Sequence, residues 1–85
     1  MFTWVLVMDS IVDGEGESRV CGVYLSDESA QKAFSEYKKD EALPLVEENS
    51  WFVFDESDNE YDVGDTGDYL YNHCRLTLQK LEVEE

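Results

Sequence analysis

The run GVYLSDESAQKAFSEYKK, residues 22–39, contains the end of a strand followed by a complete set of helix signals. Ser26 is a typical N-cap, and the two acids after it lie where the helix dipole favours negative charge. Four apolar residues then recur at helical spacing: Ala30, Ala33, Phe34 and Tyr37. We predict an amphipathic helix with Lys38 and Lys39 in its last turn and with Pro44 stopping any continuation.

Two strand patterns precede this helix. FTWVLVMD, residues 2–9, carries apolar side chains on both faces under a period of two, which is typical of a central strand. RVCGVYL, residues 19–25, is rich in β-branched and aromatic residues. The intervening residues 10–17 include two glycines and three acids. We interpret them as the loop of an antiparallel hairpin.

The chain beyond the helix contains weaker patterns. SWFVF, residues 50–54, predicts a short third strand. Residues 70–83 fit either a helix or a strand with a bulge, and their β-suitable composition favours the strand. The sequence thus predicts a single acidic α+β domain over residues 1–85. We expect a small antiparallel sheet of about four strands in the order β-β-α-β-β, with one helix packed on one face.

Composition indicates a folded core under an acidic surface. Hydrophobic residues make up 42% of the chain and aromatic residues 13%, which is too much for a disordered tail. The 21 acidic residues outnumber the six basic ones and give a formal net charge of −15. Nucleic acids and anionic membranes are also polyanions, so neither suits this surface as a direct ligand. We expect a partner protein with a basic surface.

The acidic segment DESDNEYDVGDTGD, residues 55–68, concentrates the negative charge. Seven of its fourteen residues are carboxylates and none is basic. A calcium loop counted from Asp58 would place Val63 where glycine is needed and Tyr69 where glutamate is needed. We therefore expect neither a metal nor a cofactor in this segment.

The cysteines and the histidine do not form a recognisable catalytic or zinc-binding pattern. Cys74 follows His73, but neighbours along a strand point to opposite faces, and acidic surroundings raise the pKa of a thiol. Cys21 adds no paired ligand spacing of the kind that zinc sites use. No charged start is followed by an apolar run. We expect a non-enzymatic cytoplasmic protein with two reduced thiols.

The spacing of the carboxylates suggests nucleic-acid mimicry. Residues i and i+2 of an extended chain lie roughly 6.6–7 Å apart on one side, which is comparable with the spacing of phosphates along a DNA strand. Asp58, Glu60 and Asp62 repeat at this interval. Replacing these three by Asn or Gln is expected to leave the fold intact or to stabilise it. The predicted partner-binding residues are Asp55, Glu56, Asp58, Glu60, Tyr61, Asp62, Asp65 and Asp68.

Aromatic residues near the acids would provide anchoring area for such a partner. They are Trp51, Tyr61, Tyr69 and Tyr71. The hypothesis is a stoichiometric inhibitor that occupies a basic, nucleic-acid-binding surface. The alternative is a small cytoplasmic regulatory or ligand-binding domain whose acidity serves only solubility.

The run from Gly22 to Lys39 resembles a pattern in small uncharacterised bacterial and phage domains, where a strand ending GVY-x-S precedes an alanine-rich amphipathic helix. That resemblance implies a β-β-α opening and no particular activity. The acidic segment is where this chain departs from the pattern. In size, charge and lack of catalytic residues, the chain is also similar to small acidic phage proteins that inhibit restriction or CRISPR effectors.

Overall fold

The computed structural model describes residues 1–84, which form strands and helices in the order β-β-α-α-β-β-β. The elements are β1 (Phe2–Val12), β2 (Glu15–Tyr24), α1 (Asp27–Tyr37), α2 (Leu43–Asn49), β3 (Phe52–Glu56), β4 (Glu60–Gly64) and β5 (His73–Glu82). A π-helical segment, Lys38–Ala42, joins α1 to α2. Within the described residues, no helix is both long enough and apolar enough to cross a membrane.

The five strands form one antiparallel sheet in the order β2-β1-β5-β4-β3. β5 lies between the β1–β2 hairpin and the β3–β4 hairpin, and α1 packs on one face. The α+β class, the antiparallel sheet and the helix on its face are confirmed. The prediction of about four strands is wrong, because β4 lies inside the acidic segment, where alternating carboxylates obscured its inward-facing Tyr61 and Val63.

The core lies between α1 and the covered face of the sheet. Its buried apolar residues are Leu6, Met8, Ala30, Ala33, Phe34, Ala42, Trp51, Tyr61, Val63, Cys74, Leu76 and Leu78. Three of the four predicted stripe residues of α1 are among them, and Tyr37 packs against this core while half-buried. The Ser26 hydroxyl accepts a hydrogen bond from the Ser29 amide at 3.2 Å, which confirms the predicted N-cap.

The helical segment runs beyond its predicted end at Pro44. The π-helical segment comes directly before Pro44, and in it the Leu43 amide bonds to the Lys38 carbonyl, five residues back. Pro44 then lies in the first turn of α2, where a missing N–H costs little. The prediction that Pro44 stops the helix is therefore wrong. The chain leaves α2 at Ser50, which has a left-handed φ of 55°.

The hairpin and the C-terminal strand also differ in detail from the sequence prediction. The loop expected over residues 10–17 is a two-residue turn, because Asp13 and Gly14 have φ values of 52° and 82°. The strand assignment of β5 is confirmed. Its pairing with β1 contains no bulge, so the predicted bulge is wrong and Leu81 lies on the face opposite Leu76.

The other face of the sheet, called the open face below, has no helix on it in residues 1–84. Where β2 and β1 cross it, its side chains are largely apolar, with Val5 beside Val23 and Val7 beside Val20. Where β5 and β4 cross it, Arg75 lies opposite Asp62. The open face is thus apolar toward β2 and charged toward β3.

Candidate functional site

The acidic segment covers the end of β3, the β3–β4 turn, β4 and the loop that leads to β5. Its strand residues belong to β3 and β4, at the edge of the sheet farthest from β2, and residues 65–68 lie in the loop before β5. Three of its carboxylates are exposed and form no ion pair within residues 1–84: Asp55, Asp58 and Asp68. These three can meet a basic partner without breaking an existing ion pair.

Asp62 is a structural acid at the centre of a polar network. Its side chain is nearly inaccessible, with the residue 6% exposed. Arg75 Nη2 donates to Oδ2 at 3.1 Å, and the Tyr69 hydroxyl lies 2.7 Å from Oδ1 and 2.9 Å from Oδ2. The hydrogen bond and charge of Asp62 raise the pKa of Arg75, while burial and then the same carboxylate raise the pKa of Tyr69. Asp62 is therefore already fully engaged.

The ring of Tyr69 covers this part of the open face. It stacks on His73 at 4.7 Å between centroids, with 14° between the planes, and meets Phe54 edge-on at 5.1 Å. The His73 Nδ1 atom lies 2.8 Å from the Tyr69 carbonyl oxygen, which fits an Nδ1–H donor. A Cβ atom on Gly64 would lie 2.9 Å from Tyr69 Cδ2. Glycine at position 64 is thus needed for the ring to lie this close to β4.

Tyr61 lies on the covered face and is only 2% exposed. The Lys38 amine is 4.6 Å from the centroid of its ring and 3.0 Å from Glu56 Oε1, so it ties the helical segment to the β3–β4 hairpin. Burial raises the pKa of Tyr61. Tyr61 and Asp62 are thus too buried for direct contact with a partner, and the expected interface is reduced by these two residues.

Two further acids of the segment are partly engaged. Glu60 Oε1 lies 3.4 Å from Arg75 Nε. Two of the three carboxylates that were expected to be free, those of Glu60 and Asp62, therefore form ion pairs with the guanidinium of Arg75. Asp65 accepts a hydrogen bond from the Gly67 amide at 2.9 Å and closes a tight turn. Of the row predicted from Asp58, Glu60 and Asp62, Asp58 alone forms no ion pair in the described structure.

The second half of the acidic segment leads into a loop that docks on the β1–β2 turn. Asn72 Oδ1 accepts from the Asp13 amide at 2.9 Å, and the Gly14 amide donates to the Tyr71 carbonyl at 3.1 Å. The Asp65 amide donates to the Asn72 carbonyl at 3.0 Å and closes the loop. Asp68 is therefore presented from a loop that is fixed at both ends.

Of the four predicted aromatic anchors, the structure exposes Tyr71 alone. Trp51 and Tyr61 are buried and Tyr69 is half-buried, whereas Tyr71 is exposed. β3 instead exposes Phe52 by 58% and Phe54 by 48% beside Asp55. Sequence reasoning assigned these two phenylalanines to a strand but missed that this strand is an edge, because strand order depends on pairing across the whole chain.

Both thiols of the chain have a raised pKa. Burial raises the pKa of the Cys74 thiol to about 11, and burial also raises the pKa of Cys21, so neither is activated as a nucleophile. In residues 1–84, no three His, Cys, Asp or Glu side chains are grouped so that they could hold a metal ion.

Sequence reasoning also missed Arg75, the cation that neutralises part of the acidic segment. The sequence did contain a signal for its position, because strand periodicity places Arg75 on the face opposite Leu76.

The chain was also compared with protein-family models, with curated proteins and with solved structures, and none of the three comparisons gives a match.

Proposed function

We propose that this chain is a non-enzymatic acidic binding protein that occupies a basic, nucleic-acid-binding surface of a partner protein. In this it would act as nucleic-acid mimics and small phage anti-defence inhibitors do. The observation that carries the proposal is the β3 edge with the turn after it. Within residues 1–84, Asp55 and Asp58 are exposed there and form no ion pair, and β3 also exposes the rings of Phe52 and Phe54. Carboxylates would recognise Lys and Arg, and the rings would supply apolar contact.

The charge balance of the whole surface supports the same function. Within residues 1–84, three of the six basic residues form ion pairs: Arg19, Lys38 and Arg75. Few cations are left to offset the exposed acids, so the net charge of −15 gives a negative field around the molecule. Such a field speeds encounter with a basic surface and repels nucleic acid. A mimic needs both properties.

The mimicry itself rests on fewer acids than the sequence suggested. Asp55, Asp58 and Asp68 are the free carboxylates, Glu56 is exposed but paired with Lys38, and the others are buried or engaged. We expect the partner to contact the free carboxylates first. Glu56 can join them by exchanging Lys38 for a cation of the partner.

The test is capture of a partner from nuclease-treated host lysate on the immobilised protein, followed by elution in salt steps. The variant Asp55→Asn, Asp58→Asn, Asp68→Asn removes the free carboxylates. Its matched control, Glu47→Gln, Glu48→Gln, Glu84→Gln, removes three exposed acids from elsewhere. We expect wild type and control to retain a nucleic-acid-binding protein, and the first variant to bind it about tenfold more weakly, at roughly 0.5 kcal/mol per lost charge pair.

Two results would contradict the proposal. Retention that does not change between low and high salt would exclude an electrostatic interface. Equal retention by the two variants would show that the acidic segment has no special role. Capture of no partner with a basic surface would favour the alternative, a regulatory or ligand-binding domain whose acidity serves solubility.

A further inference from the structure

The second surface of interest is the free edge of β2, at the opposite side of the sheet from the acidic segment. β2 is ten residues long and pairs with β1 on one side only. Within residues 1–84, it forms no backbone hydrogen bond on the other side. An edge of about 33 Å with unpaired N–H and C=O groups is a template for an added strand.

The open face beside this edge is apolar. Val20 and Val23 of β2 are each 61% exposed, and the register places them beside Val7 and Val5 of β1. Leu25, just after β2, is also exposed. An added strand would therefore find apolar neighbours on the open face beside Val20 and Val23, in the half of the edge nearest Tyr24.

The other side of the same edge is acidic. A shallow groove of about 280 Å³ is lined by Glu36, Tyr37, Asp40 and Glu41 at the junction of α1 and the π-helical segment. Arg19 of β2 lies 4.0 Å from Glu41, which places this end of the groove next to the strand, and 3.9 Å from Glu17 of β2 itself. One guanidinium of the chain itself thus already contacts a carboxylate of the groove.

We propose that β2 takes up an extended segment of a partner protein, with alternating basic and apolar side chains, as a sixth strand of the sheet. The apolar side chains would pack on Val20 and Val23, and the basic side chains would enter the groove of Glu36, Asp40 and Glu41. The period of two along the added strand supplies this alternation. In β2, Val20 and Val23 share a face because the register with β1 shifts at Cys21. The proposal does not depend on the acidic segment, which lies at the other edge.

Charge decides between this occupant and a second copy of the chain. A second copy would bring another net charge of −15 to the edge and would place its own Glu15 and Glu17 near the groove acids. A basic segment instead neutralises the three carboxylates of the groove, of which Glu41 alone pairs with Arg19 in the described structure. Charge complementarity therefore favours the basic segment.

The experiment uses the whole chain and two synthetic peptides of identical composition, one with five Lys-Val repeats and one with five lysines followed by five valines. Affinity is measured by fluorescence anisotropy and backbone hydrogen exchange by NMR. We expect the alternating peptide to bind about tenfold more tightly, and to slow exchange in alternate amides of β2 but not in β3. Equal affinity of both peptides, or binding without protection of β2, would overturn the proposal.

Variants separate this site from the acidic segment. Glu36→Gln, Asp40→Asn, Glu41→Gln should weaken binding of the alternating peptide about tenfold, and Val20→Thr, Val23→Thr should weaken it while preserving strand propensity. The matched control is Asp55→Asn, Asp58→Asn, Asp68→Asn, which should bind the peptide as wild type does.

Equal weakening by the two acid variants would mean that binding follows net charge alone, and would refute a site at β2. Sedimentation of the free protein supplies the remaining check. A concentration-dependent dimer that protects β2 amides without peptide would overturn the proposal, because it would show that β2 pairs with a second copy of the chain and not with a basic segment.

Discussion

Asp62 shows how one residue in a run of acids can have a role that its neighbours lack. It is buried and accepts hydrogen bonds from Tyr69 and Arg75, whereas Asp58, four positions earlier, is exposed and unpaired in the described structure. The two aspartates cannot be told apart in the sequence, because Arg75 lies thirteen residues beyond Asp62 and meets it only when β4 and β5 pair.

Substitutions at these two positions should therefore have different effects on the free energy of unfolding. Asp62→Asn should lower the free energy of unfolding by about 2 kcal/mol, because it leaves Arg75 and the Tyr69 hydroxyl with a weaker, neutral partner. Asp58→Asn should leave stability unchanged or raise it slightly, because it reduces repulsion. Urea unfolding measures both. This revises the sequence-based expectation that all three acids of the row can be replaced without loss.

Tyr69→Phe is the control for the network around Asp62. It keeps the stack on His73 and removes only the hydroxyl, so it should cost about 1 kcal/mol. An Asp62→Asn variant as stable as wild type would show that the network does not support the fold.

Cys74 gives the fold a weakness at alkaline pH. Burial raises the pKa of its thiol from the ordinary cysteine value of 9.0 to about 11 in the folded protein. The folded state therefore prefers the neutral thiol. The stability that this provides is fully present below pH 9 and is lost as the pH rises from 9 to 11, by up to about 2–3 kcal/mol.

Chemical unfolding at pH 8, 9, 10 and 11 measures this effect. Cys74→Ala is the matched variant, because it keeps a small apolar side chain and removes the titrating group. The loss of stability between pH 9 and 11 should be smaller in this variant than in wild type. Parallel pH profiles for the two proteins would show that Cys74 is not the group responsible.

At the scale of elements, the sequence predicted those whose signals are local. The helix start at Ser26 and the alternation in residues 2–9 depend on neighbours a few positions away, so α1 and β1 could be located. The free and engaged acids of the acidic segment could not be separated, because their partners Lys38 and Arg75 come from other elements. The prediction that Pro44 stops the helix was wrong because the π-helical segment before it changes the hydrogen-bond register.

The β1–β2 turn is a junction between elements, and Gly14 is its most constrained residue. Its φ is 82°, and a Cβ atom there would lie 2.7 Å from the ring of Tyr71. Gly14→Ala should therefore cost more than about 1 kcal/mol, through backbone strain and through displacement of the loop that carries Asp68.

Thermal unfolding measures the cost, and Gly67→Ala is its control. Gly67 is exposed, and a Cβ atom there would come no nearer than 3.5 Å to Asp65 Oδ1. The control should melt close to wild type. If both glycine variants lost the same stability, the cost would come from the general entropy of glycine and not from the docked turn.

At the scale of the whole molecule, charge and shape act together. The principal-axis extents are 45 × 19 × 17 Å, and the formal net charge is −15. The Debye length is about 30 Å at 0.01 M salt and about 8 Å at 0.15 M. At the lower concentration, acids on opposite sides of the molecule repel one another across its whole width, whereas at the higher one they interact only with close neighbours.

Salt should therefore stabilise the fold while it weakens the proposed partner complex. The midpoint of thermal unfolding should rise with NaCl. Most of the rise should occur below about 0.15 M, because at that concentration salt already screens the repulsion between acids on opposite sides of the two short axes. The two triple variants of the capture experiment, at residues 55, 58 and 68 and at residues 47, 48 and 84, should both show a smaller rise, because screening depends on total charge. Partner retention should fall only in the variant at residues 55, 58 and 68. A midpoint that stayed constant or fell with salt would mean that repulsion does not limit stability. Salt is thus expected to raise the stability of the fold and to lower the affinity for the partner. These opposite effects distinguish the general repulsion among the acids from their specific role at the partner-binding surface.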